Sequence, residues 1–96
     1  MAKTKTIPFD AAEFLDTEEA QAAYLEEAFA TADPAFVTRS LGVVARARGM
    51  TAIAKEAGVG RESLYKALSD GGNPEFGTIM KVLGALGLEL TIKPAA

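Results

Sequence analysis

The sequence predicts a mainly α fold of about five helices closed by a short C-terminal β-strand. Three observations carry that prediction. Apolar residues recur at helical spacing between capping residues and glycines along most of the chain. Alanine is the commonest apolar residue, which favours helices and close contact between them. Near the end the period changes: in "LELTIKP", Leu88, Leu90 and Ile92 alternate with Glu89, Thr91 and Lys93, the two-residue period of a strand with one apolar face. The 96 residues, 49% hydrophobic and 24% charged, suit a single domain over 1–96 with a modest core.

Ile7 to Leu15 reads two ways. "KTIPFD" suits a short extended segment, because Pro8 restricts Ile7 and lacks a ladder donor, and Asp10 can then cap a single turn through Leu15. Asp16 is a good N-cap for the first long helix, with Glu19 as its capping partner. Ala20, Ala23, Tyr24 and Phe29 give the apolar stripe of that helix through Ala32, and Glu18, Glu19, Glu26 and Glu27 its outer face. Asp33-Pro34 opens the next helix with a cap followed by proline at the first helical position. Its buried stripe is Phe36, Val37, Leu41, Val44 and Ala45, with Arg46 and Arg48 in the last turn and Gly49 as the stop. Thr51 caps a third helix, "AIAKEA", which ends at Gly58, and Gly60 precedes a fourth, "RESLYKALS". Asp70 to Pro74 is loop by composition. Asn73 caps a fifth helix begun by Pro74, whose stripe Phe76, Ile79, Met80, Leu83 and Leu86 is expected in the core.

Composition also removes whole classes of chemistry. There is no cysteine and no histidine, so disulfides, thiolate metal sites and the commonest general base are all missing. No metal site and no cofactor are expected. Asp70 near Glu75, or the Glu26-Glu27 pair, comes without nucleophile, base or phosphate loop, which makes an enzyme the weakest reading. No signal peptide is read, and no stretch approaches the roughly 20 apolar residues of a membrane span. A cytoplasmic protein follows as the default.

The net charge of −3 is unevenly distributed. Residues Met1 to Thr38 carry two lysines against eight acids, whereas Arg39 to Lys66 carry six cations against Glu56 and Glu62. A basic middle between acidic flanks matters more than the total. Charge alone supports a nucleic-acid surface and a merely solvated face about equally.

The stretch "MTAIAKEAGVGRESLYKALS", residues 50–69, is more informative. Ala54 is small where two helices would touch, Gly58 permits a sharp helix exit, and Val59 fills the inside of the turn. Leu64, Ala67 and Leu68 form the inward stripe of the second helix, while Arg61, Glu62, Tyr65 and Lys66 share the opposite face. This is the pattern of a helix-turn-helix, whose second helix enters the major groove, about 12 Å wide. Arg61 suits guanine, Glu62 suits cytosine, and Tyr65 and Lys66 reach bases or phosphates; Thr51 at a helix start suits a phosphate. The expected DNA-contacting set is Thr51, Gly60, Arg61, Glu62, Ser63, Tyr65 and Lys66, with Arg46 and Arg48 from the basic middle. Two ordinary packed helices of a small bundle are the plain alternative.

From about Pro8 to Ile92 the chain resembles addiction-module antidote proteins, small Xre-type, HigA-like antitoxins with a lambda-repressor-like DNA-binding domain. The residues carrying the resemblance are "ARARGMTAIAKEAGVGRESLYKALS", "GNPEF" and "LGLEL". It implies a small RelE/ParE-like toxin as partner, bound and neutralised by this chain, and repression of the shared promoter through the helix-turn-helix. Related sequences often have serine at the position of Gly60; glycine still caps, losing a few tenths of a kcal/mol, but a side-chain contact is gone. A homodimer on double-stranded DNA is expected, because one helix-turn-helix makes few contacts. No toxin-binding surface is read from the residues. The last strand can pair with "KTIPF", with its own copy in a dimer, or with a toxin sheet. A phage-type repressor without a toxin, or a protein-interaction module that has lost DNA binding, remain the other readings.

Overall fold

The computed structural model describes residues 15–95. The extended segment and cap proposed between Ile7 and Phe14 therefore lie outside the described residues. Five helices follow in order: α1 (Glu18–Ala30), α2 (Pro34–Arg48), α3 (Met50–Ala57), α4 (Arg61–Ala67) and α5 (Phe76–Ala85). Helix α1 packs on α2, α2 on α3, and α3 on both α4 and α5.

The start of α1 falls one residue later than its cap pattern predicts. Thr17, not Asp16, is the N-cap: its hydroxyl accepts from the Ala20 amide at 3.1 Å and its carbonyl from Gln21 at 3.0 Å. Gln21, Leu25 and Ala28 are buried, and Ala20, Tyr24 and Phe29 of the predicted stripe are half-buried against the core beside them, whereas Ala23 is exposed. The helix stops at Ala30, and Ala32 takes a positive φ of 57° in the turn to α2. Helix α2 begins as predicted, with Asp33 accepting from the Ala35 amide at 3.1 Å and Pro34 in the first turn. It runs through the centre of the molecule, burying Val37, Leu41, Val44 and Ala45.

Gly49 ends α2 and serves as the N-cap of α3 in one residue, at φ 108° and ψ 106°. A β-carbon is strained in that conformation. With the reversal compressed into Gly49, Thr51 lies inside α3 and makes no cap bond, contrary to the expectation. Helix α5 also starts later than predicted. Pro74 is half-buried beside α4, and Glu75, with extended backbone, rather than Asn73 is the N-cap. Val82, Leu83 and Leu86 are buried and Ile79 is half-buried against the core, whereas Phe76 and Met80, expected in the core, are 64% and 44% exposed.

The core joins all five helices, with Leu25, Leu41, Ile53, Leu64 and Leu83 among its members. Gly42 marks a close approach within it, since a β-carbon there would lie 2.6 Å from the Leu68 carbonyl oxygen. Arg48 ties three elements together: one guanidinium nitrogen donates to Gln21 Oε1 at 2.7 Å and to the Leu86 carbonyl at 3.3 Å. Gln21 in turn donates to the Leu15 carbonyl at 2.8 Å.

The predicted C-terminal β-strand does not form. Residues 88–95 have no regular secondary structure, and among the described residues there is no strand at all. An alternating apolar pattern gives a segment one apolar face; it does not supply the ladder partner that a strand requires.

Candidate nucleic-acid interface

Helices α3 and α4 are short and joined by Gly58, Val59 and Gly60. Gly58 takes the left-handed conformation, φ 74° and ψ 31°, and the Val59 amide donates back to the Ala54 carbonyl at 3.0 Å. This 6→1 bond closes α3, and the half-buried Val59 packs against the core at the inside of the turn. Ala54 is 2% exposed, and a larger side chain there would have to displace its neighbours in the core. Gly60 is the N-cap of α4, with its carbonyl accepting from Leu64 at 2.9 Å and no side-chain cap bond.

Helix α4 is held from below by Leu64 and Leu68, each 1% exposed. Its outer surface is polar: Arg61, Glu62, Ser63, Tyr65 and Lys66 are all exposed, Tyr65 by 55%. Seven helical residues thus present a cation at the start, a carboxylate beside it, and a phenol and second cation one turn on. Such a face can donate to acceptors on base edges, accept from exocyclic amines and neutralise phosphates.

The other expected residues divide. Thr51 and Arg46 are exposed. Arg46 Nη1 borders the same space beside Gly42 as the Leu68 carbonyl, which puts this cation near the C-terminal end of α4. Arg48 is different: half-buried, its guanidinium is engaged by Gln21 and Leu86 within the fold. Arg39, not singled out as a contact residue, sits 5.6 Å over the Phe36 ring and 4.0 Å from Asp70, just after α4. Both members of that ion pair are over half exposed, so it is worth little to stability. Its place in the basic middle was the one sequence signal that could have found it.

The fold and this face define a small, mainly α protein that exposes one short polar helix on a closely packed support. A family profile described as "Probable addiction module antidote protein" matches residues 5–94. A Haemophilus influenzae protein, described as "Uncharacterized protein", is 47% identical over 85 residues, 88% of each chain. The chain belongs to this addiction-module antidote family. No solved structure matches it.

Proposed function

We propose that this protein is the antitoxin of a type II toxin–antitoxin module, binding and neutralising a small RelE/ParE-like toxin and repressing its own operon as a homodimer on DNA. Helices α3 and α4 act as an Xre-type helix-turn-helix. Helix α4 enters the major groove, Arg61 and Glu62 read base edges, and Tyr65 and Lys66 contact bases or phosphates. Thr51, Ser63, Arg46 and the backbone at Gly60 sit at phosphates and set the register. Arg48 supports the fold from behind. Family membership supports the antidote role. The observation that carries the DNA-binding role is the wholly exposed polar face of α4 over buried Leu64 and Leu68.

The test is a titration of the purified protein against DNA from upstream of its own gene, with a scrambled duplex as control, at two salt concentrations. Tight, sequence-dependent binding that weakens with salt is expected. Equal weak binding to both duplexes overturns the DNA-binding half of the reading. The antidote half is tested separately: co-expression should rescue growth from a toxin encoded beside this gene.

A further inference from the structure

Past Gly87, whose φ of 79° turns the chain out of α5, the tail leaves the core in stages. Leu88 is half-buried, and its amide still donates to the Leu83 carbonyl at 2.9 Å. Leu90 is 38% exposed and Ile92 is 97% exposed. Between this tail and α1 lies an open groove of about 580 Å³, with Leu25, Phe29 and Leu83 in its wall. Glu26 and Glu89 lie at its polar border, with Lys93. Among the described residues, a tail that forms no strand and carries an almost fully exposed isoleucine beside an apolar groove is an unfinished surface.

We propose that a second copy of this chain completes it, the two tails pairing antiparallel across a twofold axis through Thr91. The observation that selects a second copy is that the tail is complementary to itself in this one register. With Thr91 on the axis, Glu89 lies opposite Lys93 of the second copy and Leu90 opposite its Ile92, each pair occurring twice by symmetry. Apolar meets apolar on one face, and acid meets base on the other. Neighbouring registers lose the charge pairing. An axis at Leu90 still sets Leu88 against Ile92, but it leaves Glu89 against Thr91 and brings Lys93 to Gly87, at the turn. An axis between Leu90 and Thr91 sets Glu89 against Ile92 and Leu88 against Lys93, mixing the faces. In the favoured register, Leu90 and Ile92 of each copy join the apolar face that borders the groove.

The pairing rests on the dimeric repressor proposed above, and its test omits DNA so that the two can fail separately. The chain has no cysteine, so Thr91→Cys places one thiol per protomer at the axis. Oxidation or a short bismaleimide should join Thr91→Cys into a covalent dimer and leave the exposed control Ala35→Cys monomeric. In sedimentation equilibrium, Lys93→Glu should weaken the wild-type dimer by roughly tenfold, because it sets two acids opposite each other twice. The exchange Glu89→Lys/Lys93→Glu should restore it. These residues lie outside the helices, so far-UV circular dichroism should not change. Two outcomes overturn the pairing. In one, the dimer is indifferent to the tail variants and dissociates on Met80→Glu, which places the interface on α5 and keeps the dimeric reading. In the other, the wild-type chain is monomeric at high micromolar concentration, which removes the dimer whatever the DNA titration gives.

Discussion

Helices α4 and α5 are built alike and finished differently. Both are short, both are preceded by an N-cap that makes no side-chain bond, and both bury leucines along one edge. The outward surface of α4 is polar throughout, with Arg61, Glu62, Tyr65 and Lys66 exposed. That of α5 carries exposed Phe76 and Met80 beside Gly77 and Lys81. The polar surface makes the buried stripe of α4 unambiguous, because only one rotation of the helix hides its apolar residues. In α5, Phe76, Ile79, Met80, Val82, Leu83 and Leu86 surround much of the axis, and several rotations satisfy the hydrophobic period equally. Packing against α3 chose one of them.

The largest test of this contrast sets buried against exposed residues on each helix. Leu64→Ala on α4 and Leu83→Ala on α5 should each cost about 2–5 kcal/mol in urea unfolding, the usual range for a buried leucine. Phe76→Ser and Met80→Ser should change stability by no more than about 0.5 kcal/mol, as exposed substitutions do. If Phe76→Ser were as damaging as Leu83→Ala, the rotation of α5 described above would be wrong.

What the sequence disclosed follows the same line. The α3–turn–α4 segment was legible because each part had a local chemical reason: Gly58 for positive φ, Val59 for the inside of the turn, Leu64 and Leu68 for burial. The start of α2 was legible because Asp33 and Pro34 act within one turn. The starts of α1, α3 and α5 were not. At α1 and α3 two cap-competent residues stood close together, Asp16 with Thr17 and Gly49 with Thr51; at α5 the helix starts after Glu75, which makes no side-chain cap bond and which no cap preference points to. The C-terminal segment shows a further limit: alternation records a face, and pairing depends on a partner that the segment does not encode alone. At the candidate site, charge gave no means of separating Arg48, whose guanidinium is engaged within the fold, from Arg46, which is exposed.

The contact between α2 and α4 gives the next effect in size. Gly42→Ala would force its β-carbon against the backbone oxygen of Leu68, and backbone cannot swing aside as a flexible side chain can. A loss of about 1–3 kcal/mol is expected, measured by urea unfolding. Since α4 must shift to relieve the clash, the same variant should also weaken DNA binding, whereas Met80→Ser should not.

Arg61→Ala separates recognition from stability. Its exposed side chain contributes little to folding, so the unfolding midpoint should hold to within about 0.5 kcal/mol. On operator DNA the expected loss is about 1–3 kcal/mol, with relaxed preference at one base position. Lys66→Ala should weaken binding more uniformly across sequences and lower the salt slope by about one. Equal behaviour of the two variants across operator mutants would remove the division between base reading and phosphate contact on α4.

The smallest effect is at Gly60. Its φ of −68° and ψ of 142° are ordinary for any residue, and an added β-carbon would meet only Ser63, at 3.7 Å. The position therefore has room for a serine, whose hydroxyl could accept from an amide of the first turn that has no side-chain partner at present. Gly60→Ser should stabilise the fold by a few tenths of a kcal/mol, read as a small rise in the urea midpoint with an unchanged slope. The informative result is the sign on DNA. Tighter operator binding would mean that the hydroxyl adds a phosphate contact and stiffens the start of α4. Weaker binding, with the fold stabilised, would mean that this operator approaches the backbone at Gly60 too closely for a side chain. Glycine would then be part of how α4 reads its site, in contrast to α5, where nothing exposed depends on so close an approach.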